Sequence, residues 1–258
     1  MADKAPYLEG RVAVVTGAGT GIGRAIAERL ADHGAKVALM GRRTEPLEET
    51  AAAIGETARV FPVDVANRDA VNEAFDSVHE TLGAIHDVIV NAGIGGPNEP
   101  GPNDRWDAIL ATNLTGAYST IRAFVKHAAP GPDPRHAVVI SSCLARFGVP
   151  GYTAYCASKA GTLGMVRAFA HELASDNILV NAICPGWVDT EMARDGMKGI
   201  AASMGKTLEE ARPDILGAVP LERMSEPEEI AGLVAFLLSH DARTITGATL
   251  DQNAGSWM

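Results

Sequence analysis

Tyr155 and Lys159 stand four residues apart in Tyr155-Cys-Ala-Ser-Lys159, inside an apolar-periodic stretch, so a helix would put both on one face. A free phenol ionises near about pH 10, too high for efficient proton transfer at neutrality. A neighbouring ammonium stabilises the phenolate and is expected to lower that value. Alone, such a pair is a common feature of helix surfaces and ordinarily structural. Its companions change the reading. Ser141-Ser142 ends a short apolar run, and the Ser142 hydroxyl could donate to a carbonyl oxygen as negative charge develops there. Asn113 interrupts an otherwise apolar helical pattern, and a buried Asn needs a partner, a water on a proton path being one candidate. Phenol, ammonium, hydroxyl and amide together suit proton transfer to or from an oxygen.

A second cluster suits phosphate. Thr16-Gly-Ala-Gly-Thr-Gly-Ile-Gly23 follows a β-branched run and precedes a helical pattern. Glycines permit positive φ and close approach, so main-chain N–H groups and the positive helix end can meet a pyrophosphate. Strand, glycine turn and helix are the setting of dinucleotide binding. Further on, where an acid would hold the ribose of NAD, the chain reads Met40-Gly41-Arg42-Arg43. Two guanidiniums and no carboxylate favour a 2′-phosphate, hence NADP(H) over NAD(H). Asp64, in Val63-Asp-Val65, is expected near the adenine. A small-residue turn at Asn91-Ala-Gly93 would let cofactor lie across the strand ends, although an Asx-turn accounts for either residue alone.

These groups need a scaffold, and the chain alternates short aliphatic runs with helical ones. Strands are predicted over 11–16, 36–40, 59–63, 86–90, 137–141, 178–183 and 248–251. Helices are predicted over 22–33, 45–54, 69–82, 105–127, 153–174 and 227–239. Strict alternation implies right-handed crossovers and a parallel sheet covered on both faces, an α/β fold. No linker, repeat or low-complexity tract divides residues 1–258, so one domain is expected. Two stretches break the rhythm. Residues 93–104 are rich in Gly, Pro and Asn. Residues 186–220 have mixed helical signals, and 187–220 is expected as a substrate-binding lid, with Trp187, Met192, Met197, Met204 and Leu208 as packing or pocket wall.

Composition narrows the partners. The formal net charge of -10 argues against nucleic acid and anionic membranes. Cys143, Cys156 and Cys184 form no CxxC pair, so neither a disulfide framework nor a metal site is expected. Cys143 and Cys156 read as small packing residues. Residues 1–10 have no apolar core of a signal peptide, and no apolar run approaches the roughly 18 residues of a membrane span. A cytoplasmic location is the expectation.

From about Arg11 to the C-terminus the chain resembles the short-chain dehydrogenase/reductase family. The family's marks occur in order: Thr16–Gly23, Asp64, Asn91-Ala-Gly93, Asn113, Ser142, Tyr155-x-x-x-Lys159, and Pro185-Gly186 with Thr190. Ser142 lies 13 residues before Tyr155, a spacing usual in the family. The resemblance implies a single-domain, Rossmann-like three-layer sandwich on a seven-stranded parallel sheet, and a homotetramer. It implies Asn113, Ser142, Tyr155 and Lys159 as a catalytic set. Tyr155 would move the proton, Ser142 would polarise the carbonyl, Lys159 would lower the phenol's pKa and hold the nicotinamide ribose, and Asn113 would position a water. Cofactor contacts are expected from Thr16, Gly17, Gly21, Ile22, Gly23, Arg42, Arg43, Asp64, Val65, Asn91, Ala92, Gly93, Tyr155, Lys159, Pro185, Gly186, Val188 and Thr190. Substrate contacts are expected from Ser142, Leu144, Val149, Tyr155, Trp187 and Met192.

The segment 186–220 is similar to that of 3-hydroxybutyrate dehydrogenases, but Gly95 and Leu144 replace polar groups suited to gripping a small keto-acid. Arg146 reads as a solvated arginine, and Asn253-Ala254-Gly255 replaces the family's frequent Gly-Gly. The expected activity is therefore NADP(H)-dependent hydride transfer between nicotinamide and a ketone or secondary alcohol, the small molecule being bulky and apolar, cyclic or 3-oxoacyl. The alternatives are an NAD(H)-linked catabolic alcohol or 3-hydroxyacid dehydrogenase and a non-catalytic cofactor-binding regulatory protein.

Overall fold

The computed structural model describes residues 7–257; most of the N-terminal stretch searched for a leader lies outside the described residues. The strands are β1 (Val12–Thr16), β2 (Lys36–Gly41), β3 (Ala58–Pro62), β4 (Asp87–Val90), β5 (Arg135–Ile140), β6 (Ile178–Pro185) and β7 (Thr249–Gln252). Helices α1 (Gly21–Asp32), α2 (Thr44–Ile54) and α3 (Arg68–Leu82) fall between the first four strands. Then come α4 (Trp106–Leu110), α5 (Gly116–Lys126), α6 (Thr153–Glu172), α7 (Glu191–Ser203), α8 (Leu208–Gly217) and α9 (Pro227–Leu237). The strands form one seven-stranded sheet in the order β3-β2-β1-β4-β5-β6-β7, with every described pairing parallel.

Successive strand residues point to opposite faces, and each face has its own core. Val12, Val14, Val88 and Val90 meet Phe75 of α3, Phe124 of α5 and Val166 of α6. Ala13, Val15 and Ile89 meet Ile26 and Leu30 of α1 and Ile230 and Val234 of α9. Each fully buried aliphatic or aromatic side chain contributes about 1.5–3 kcal/mol of transfer free energy. This two-sided burial explains why the strands read as continuous apolar runs. Strand order reverses at β1, which pairs with both β2 and β4, so a crevice opens at the carboxyl ends of the strands.

Two departures from the sequence expectation have local causes. β5 starts at Arg135, earlier than its apolar run, because both polar residues at its start are satisfied internally. Arg135 donates to the carbonyls of Gly131, Asp133 and Asp176, and His136 Nδ1 sits 2.7 Å from Asp87 Oδ1. Asp87 is fully buried and also accepts from Arg11 Nε at 2.8 Å and Nη2 at 2.7 Å, a bidentate pair at the amino end of the sheet. The predicted helix over 105–127 is interrupted by a π-helical turn, Ala111–Thr115, between α4 and α5. One inserted residue resets the helical face there, and Asn113 sits in that turn.

Candidate active site

The glycine turn between β1 and α1 is locked from β4. The Thr16 hydroxyl oxygen accepts from the amides of Asn91 and Ala92, both at 3.0 Å. The Asn91 side-chain amide donates to the carbonyls of Thr16 at 3.0 Å and Gly17 at 3.2 Å. The Asn91 side chain is thus occupied in fixing the turn, a role the sequence reading did not give it. Gly17 has φ +68°, and a Cβ on Gly23 would lie 2.1 Å from the Gly17 carbonyl oxygen, so no other residue fits there without moving the turn. Helix α1 opens with no side-chain cap from Thr20 and no acid in its first turn, leaving its leading N–H groups for an anion.

Arg42 and Arg43 follow at the carboxyl end of β2. Both are exposed and neither forms an ion pair among the described residues. Asp64 is exposed too, but its carboxylate accepts from the Ala66 amide at 3.0 Å, the Asx-turn that the sequence left as an alternative. Val65 is buried against Gly116, and Ile22 is partly buried at the start of α1. On the far side, Thr190 caps α7 by accepting from the Ala193 amide at 3.3 Å. Its methyl lies 2.9 Å from where a Cβ on Gly21 would stand, and Gly186 packs on the Asn253 backbone with Val188 buried behind it. Pro185, at the end of β6, completes this rim.

The second cluster collects at the carboxyl ends of β4 and β5. Lys159 is 6% exposed and donates to the Ile140 carbonyl at 2.9 Å, while the Ser141 hydroxyl donates to the Lys159 carbonyl at 3.0 Å. These bonds tie α6 to the end of β5. The ammonium lies 5.7 Å from the centre of the Tyr155 ring. A Cβ on Gly93 would stand 3.2 Å from Asn113 Oδ1 and 3.6 Å from Lys159 Nζ, so Gly93 separates those two groups by the thickness of a backbone. Asn113 accepts from the Ile94 amide at 2.8 Å and donates to the Ile94 carbonyl at 3.0 Å and to Ser158 Oγ at 3.2 Å. Its side chain is saturated by protein, which corrects the expectation that it holds a water.

Protonation also differs from expectation. Burial pushes the Tyr155 phenol up to about 12, with a hydrogen bond from Ser142 acting in the opposite direction. Burial pushes the Lys159 ammonium down to about 8. Adjacency on a helix gave the sign of the Lys159 effect; it could not give the desolvation that outweighs it. The Ser142 oxygen also accepts from the Leu144 amide at 3.1 Å, which fixes the turn after β5.

The surrounding wall is apolar. Leu144 and Val149 are partly buried, and Met192 of α7 is 50% exposed. A Cβ on Gly95 would stand 3.0 Å from the Met192 sulfur and 3.9 Å from Tyr155 Cε2, so Gly95 lets α7 approach the phenol. Trp187 packs instead on Gly196, within a small cluster that includes Ala193, Met197, Leu216 and Met224. Arg146 is not the solvated arginine expected from sequence: it pairs with Asp251 at 2.8 Å and 3.2 Å. Cys143 is buried, as a packing residue would be, and Cys156 partly so. Among the described residues no group of three or more His, Cys, Asp or Glu side chains could hold a metal ion, and no helix is long and apolar enough to cross a membrane. Sequence reading missed Asn98, Ser141 and Ser158, because each acts through partners distant in the chain.

Known proteins share this arrangement. A family model described as Enoyl-(Acyl carrier protein) reductase matches residues 17–256. Nodulation protein G of Rhizobium sp. (strain N33) is 36% identical, over 96% of this chain and 97% of that protein. The 3-oxoacyl-[acyl-carrier-protein] reductase FabG of Pseudomonas aeruginosa is 37% identical over 97% of this chain and 99% of its own. Among solved structures, a single-residue variant of actinorhodin polyketide ketoreductase with NADPH superposes with a TM-score of 0.89 at 31% identity, over 95% of this chain and 97% of that one. Ligand-free aldohexose dehydrogenase of Thermoplasma acidophilum gives 0.86 at 29% identity, over 98% and 96%. The chain belongs to the short-chain dehydrogenase/reductase family and is an oxidoreductase acting between alcohol and carbonyl groups.

Proposed function

We propose that this enzyme reduces a bulky ketone or 3-oxoacyl substrate with NADP(H), using Tyr155 as the proton donor. The observation that carries this reading is the pairing of a phenol that keeps its proton with a buried ammonium, beside a rim with two arginines outside any ion pair. The residues present fit a dinucleotide. The uncapped start of α1 and the locked glycine turn suit its pyrophosphate, and Arg42 and Arg43 suit a 2′-phosphate that a carboxylate would repel. Val65, Ala92, Gly93, Pro185, Gly186, Val188 and Thr190 would line the remainder of that crevice. When bound, the cofactor supplies the hydride.

The protein's own part is orientation and proton movement. Ser142 and Tyr155 present hydroxyls toward one oxygen, Ser142 to stabilise its developing charge and Tyr155 to deliver the proton. With a phenol held up to about 12, Tyr155 is an acid at neutral pH, which favours the reductive direction. Lys159, held down to about 8, exchanges protons close to neutrality and would replenish the phenol. Asn113 acts by fixing Ile94 and Ser158 around these groups.

Substrate class follows from charge and shape. With Arg146 neutralised by Asp251, no free cation is offered there to a keto-acid carboxylate, while Leu144, Val149 and Met192 offer apolar surface. Residues 187–220 would act as the lid: α7 and α8 share their own small core, and Met192 reaches over Gly95. The relatives whose names specify 3-oxoacyl-[acyl-carrier-protein] reductase and polyketide ketoreductase support this class. Exposed Tyr118, Phe236 and Trp257 support a homo-oligomer, taken as a tetramer, and three free cysteines are compatible with a cytoplasmic setting. The aldohexose dehydrogenase neighbour favours a second reading, oxidation of a polyol or other alcohol with NAD(H).

Steady-state oxidation of NADPH, and separately of NADH, against cyclic, aryl, 3-oxoacyl and small keto-acid substrates separates the two. Turnover with NADPH and a bulky or 3-oxoacyl ketone is expected. Faster turnover with NADH would favour the second reading.

A further inference from the structure

Helix α6 carries Tyr155 in its first turn, yet nothing at its own start caps it. The residue before it, Tyr152, makes no side-chain cap, and the first turn holds no acid. The acceptor comes from the loop after β4. Asn98 Oδ1 accepts from the Ala154 amide at 2.9 Å and from the Thr153 hydroxyl at 3.1 Å, and the Asn98 backbone amide donates to the Gly151 carbonyl at 2.8 Å. An Asn only 8% exposed, in a Gly- and Pro-rich loop, thus supplies the cap that the helix lacks locally.

The other end of the same side chain reaches a second helix. Asn98 Nδ2 donates to Asp104 Oδ1 at 3.3 Å, and that oxygen also accepts from the Trp106 amide at 2.9 Å, the first amide of α4. Helix α4 runs directly into the π-helical turn that holds Asn113, and Asn113 in turn grips Ile94, at the start of the same loop. One pair of side chains therefore joins the first turn of the Tyr155 helix to the start of the Asn113 helix. Both polar atoms of the Asn98 side chain are used, with donor and acceptor ends facing different helices. That polarity requires an amide at 98 and an acceptor at 104.

We propose that Asn98, paired with Asp104, is a positioning residue that sets Tyr155 relative to Asn113 and Lys159. This rests on the reading of Tyr155 as the proton donor. Loss of the cap frees the Ala154 amide and lets the first turn of α6 fray, moving the phenol without altering any group that touches cofactor phosphate. Because a displacement on the ångström scale at a reacting group costs about 100-fold in rate, kcat is expected to fall about 10- to 100-fold in Asn98→Ala. KM for NADPH should change little.

The test uses the full-length enzyme with acetoacetyl-coenzyme A as the 3-oxoacyl probe. Kinetics are read beside amide hydrogen exchange over residues 153–156. Asn98→Ala should lower kcat and accelerate exchange at those amides. Asn98→Asp should do the same, since it faces the Asp104 carboxylate and has lost its donor. The double variant Asn98→Asp/Asp104→Asn exchanges the two roles and should recover most of kcat and of the protection. Wild-type kcat and exchange in Asn98→Ala would overturn the proposal. So would a double variant no better than Asn98→Asp, or a loss explained by global unfolding with unchanged kcat per folded molecule. If the wild-type enzyme were silent with the probe, the reading of Tyr155 would be at fault, and the exchange data alone would decide whether Asn98 orders the turn.

Discussion

Replacing Lys159 with Met should separate what this residue does for chemistry from what it does for the fold. Met conserves the length of the side chain and removes its charge, leaving the surrounding core filled. Burial holds the ammonium down to about 8 against an ordinary 10.5, so keeping it charged inside the folded protein costs roughly 3 kcal/mol at pH 7. The variant loses the 2.9 Å bond to the Ile140 carbonyl and leaves that oxygen unpaired, which costs about 1–3 kcal/mol. The net expectation at pH 7 is a fold as stable as the wild type or about 2 kcal/mol more stable, coupled to a collapse in turnover.

The sign with pH is specific. Below about 8 both folded and unfolded chains hold the proton on Lys159 and the penalty is fully present; above 10.5 neither does and it vanishes. Between these limits the unfolded chain binds more protons, so the wild type gains stability on the variant as pH rises. Paired denaturant titrations of the cofactor-free proteins from neutral to alkaline pH read this directly. The advantage of the Lys159→Met variant should shrink by roughly 3 kcal/mol across that window. A stability difference independent of pH, or a variant several kcal/mol less stable at pH 7, would refute the account of Lys159 as a buried cation retained at a cost to stability.

Two further perturbations address the rim and the base of the sheet. Arg42→Ala with Arg43→Ala should weaken NADPH binding about 10- to 100-fold, as expected for loss of charge-assisted bonds, and leave NADH binding unchanged; equal losses in a fluorescence titration would remove the 2′-phosphate argument. Arg11→Ala leaves the fully buried Asp87 with His136 alone and should destabilise the fold by about 3–5 kcal/mol in denaturant melts, with kcat per folded molecule retained because the pair sits at the sheet end opposite Tyr155. A loss below about 1 kcal/mol would mark the pair as no more than a surface bridge.

The sheet was legible in the sequence because burial on both faces forces apolar runs, and Val88-Ile-Val90 could not be mistaken for an amphipathic edge. The glycine turn and Tyr155-x-x-x-Lys159 were legible because their geometry is local: a positive φ at Gly17 and one helical turn between Tyr155 and Lys159. What escaped is non-local. Arg146 meets Asp251 across 105 residues, and Asn98 meets Ala154 across 56, so neither partner leaves a mark on the neighbouring sequence. The π-helical turn at Asn113 escaped because one inserted residue barely disturbs a helical pattern. The protonation of Tyr155 escaped for another reason: it depends on how deeply the phenol is buried, a property of the packed molecule and not of the spacing to Lys159.

The central claim is that the Tyr155 phenol delivers the proton, and Tyr155→Phe tests it most directly. Phe fills the same volume and removes only the hydroxyl. Stopped-flow binding of NADPH followed by single-turnover reduction of a 3-oxoacyl ketone should give unchanged NADPH affinity and a reduction rate lowered by at least about 100-fold, the contribution expected of a general acid. Reduction at the wild-type rate, with NADPH bound as before, would contradict it.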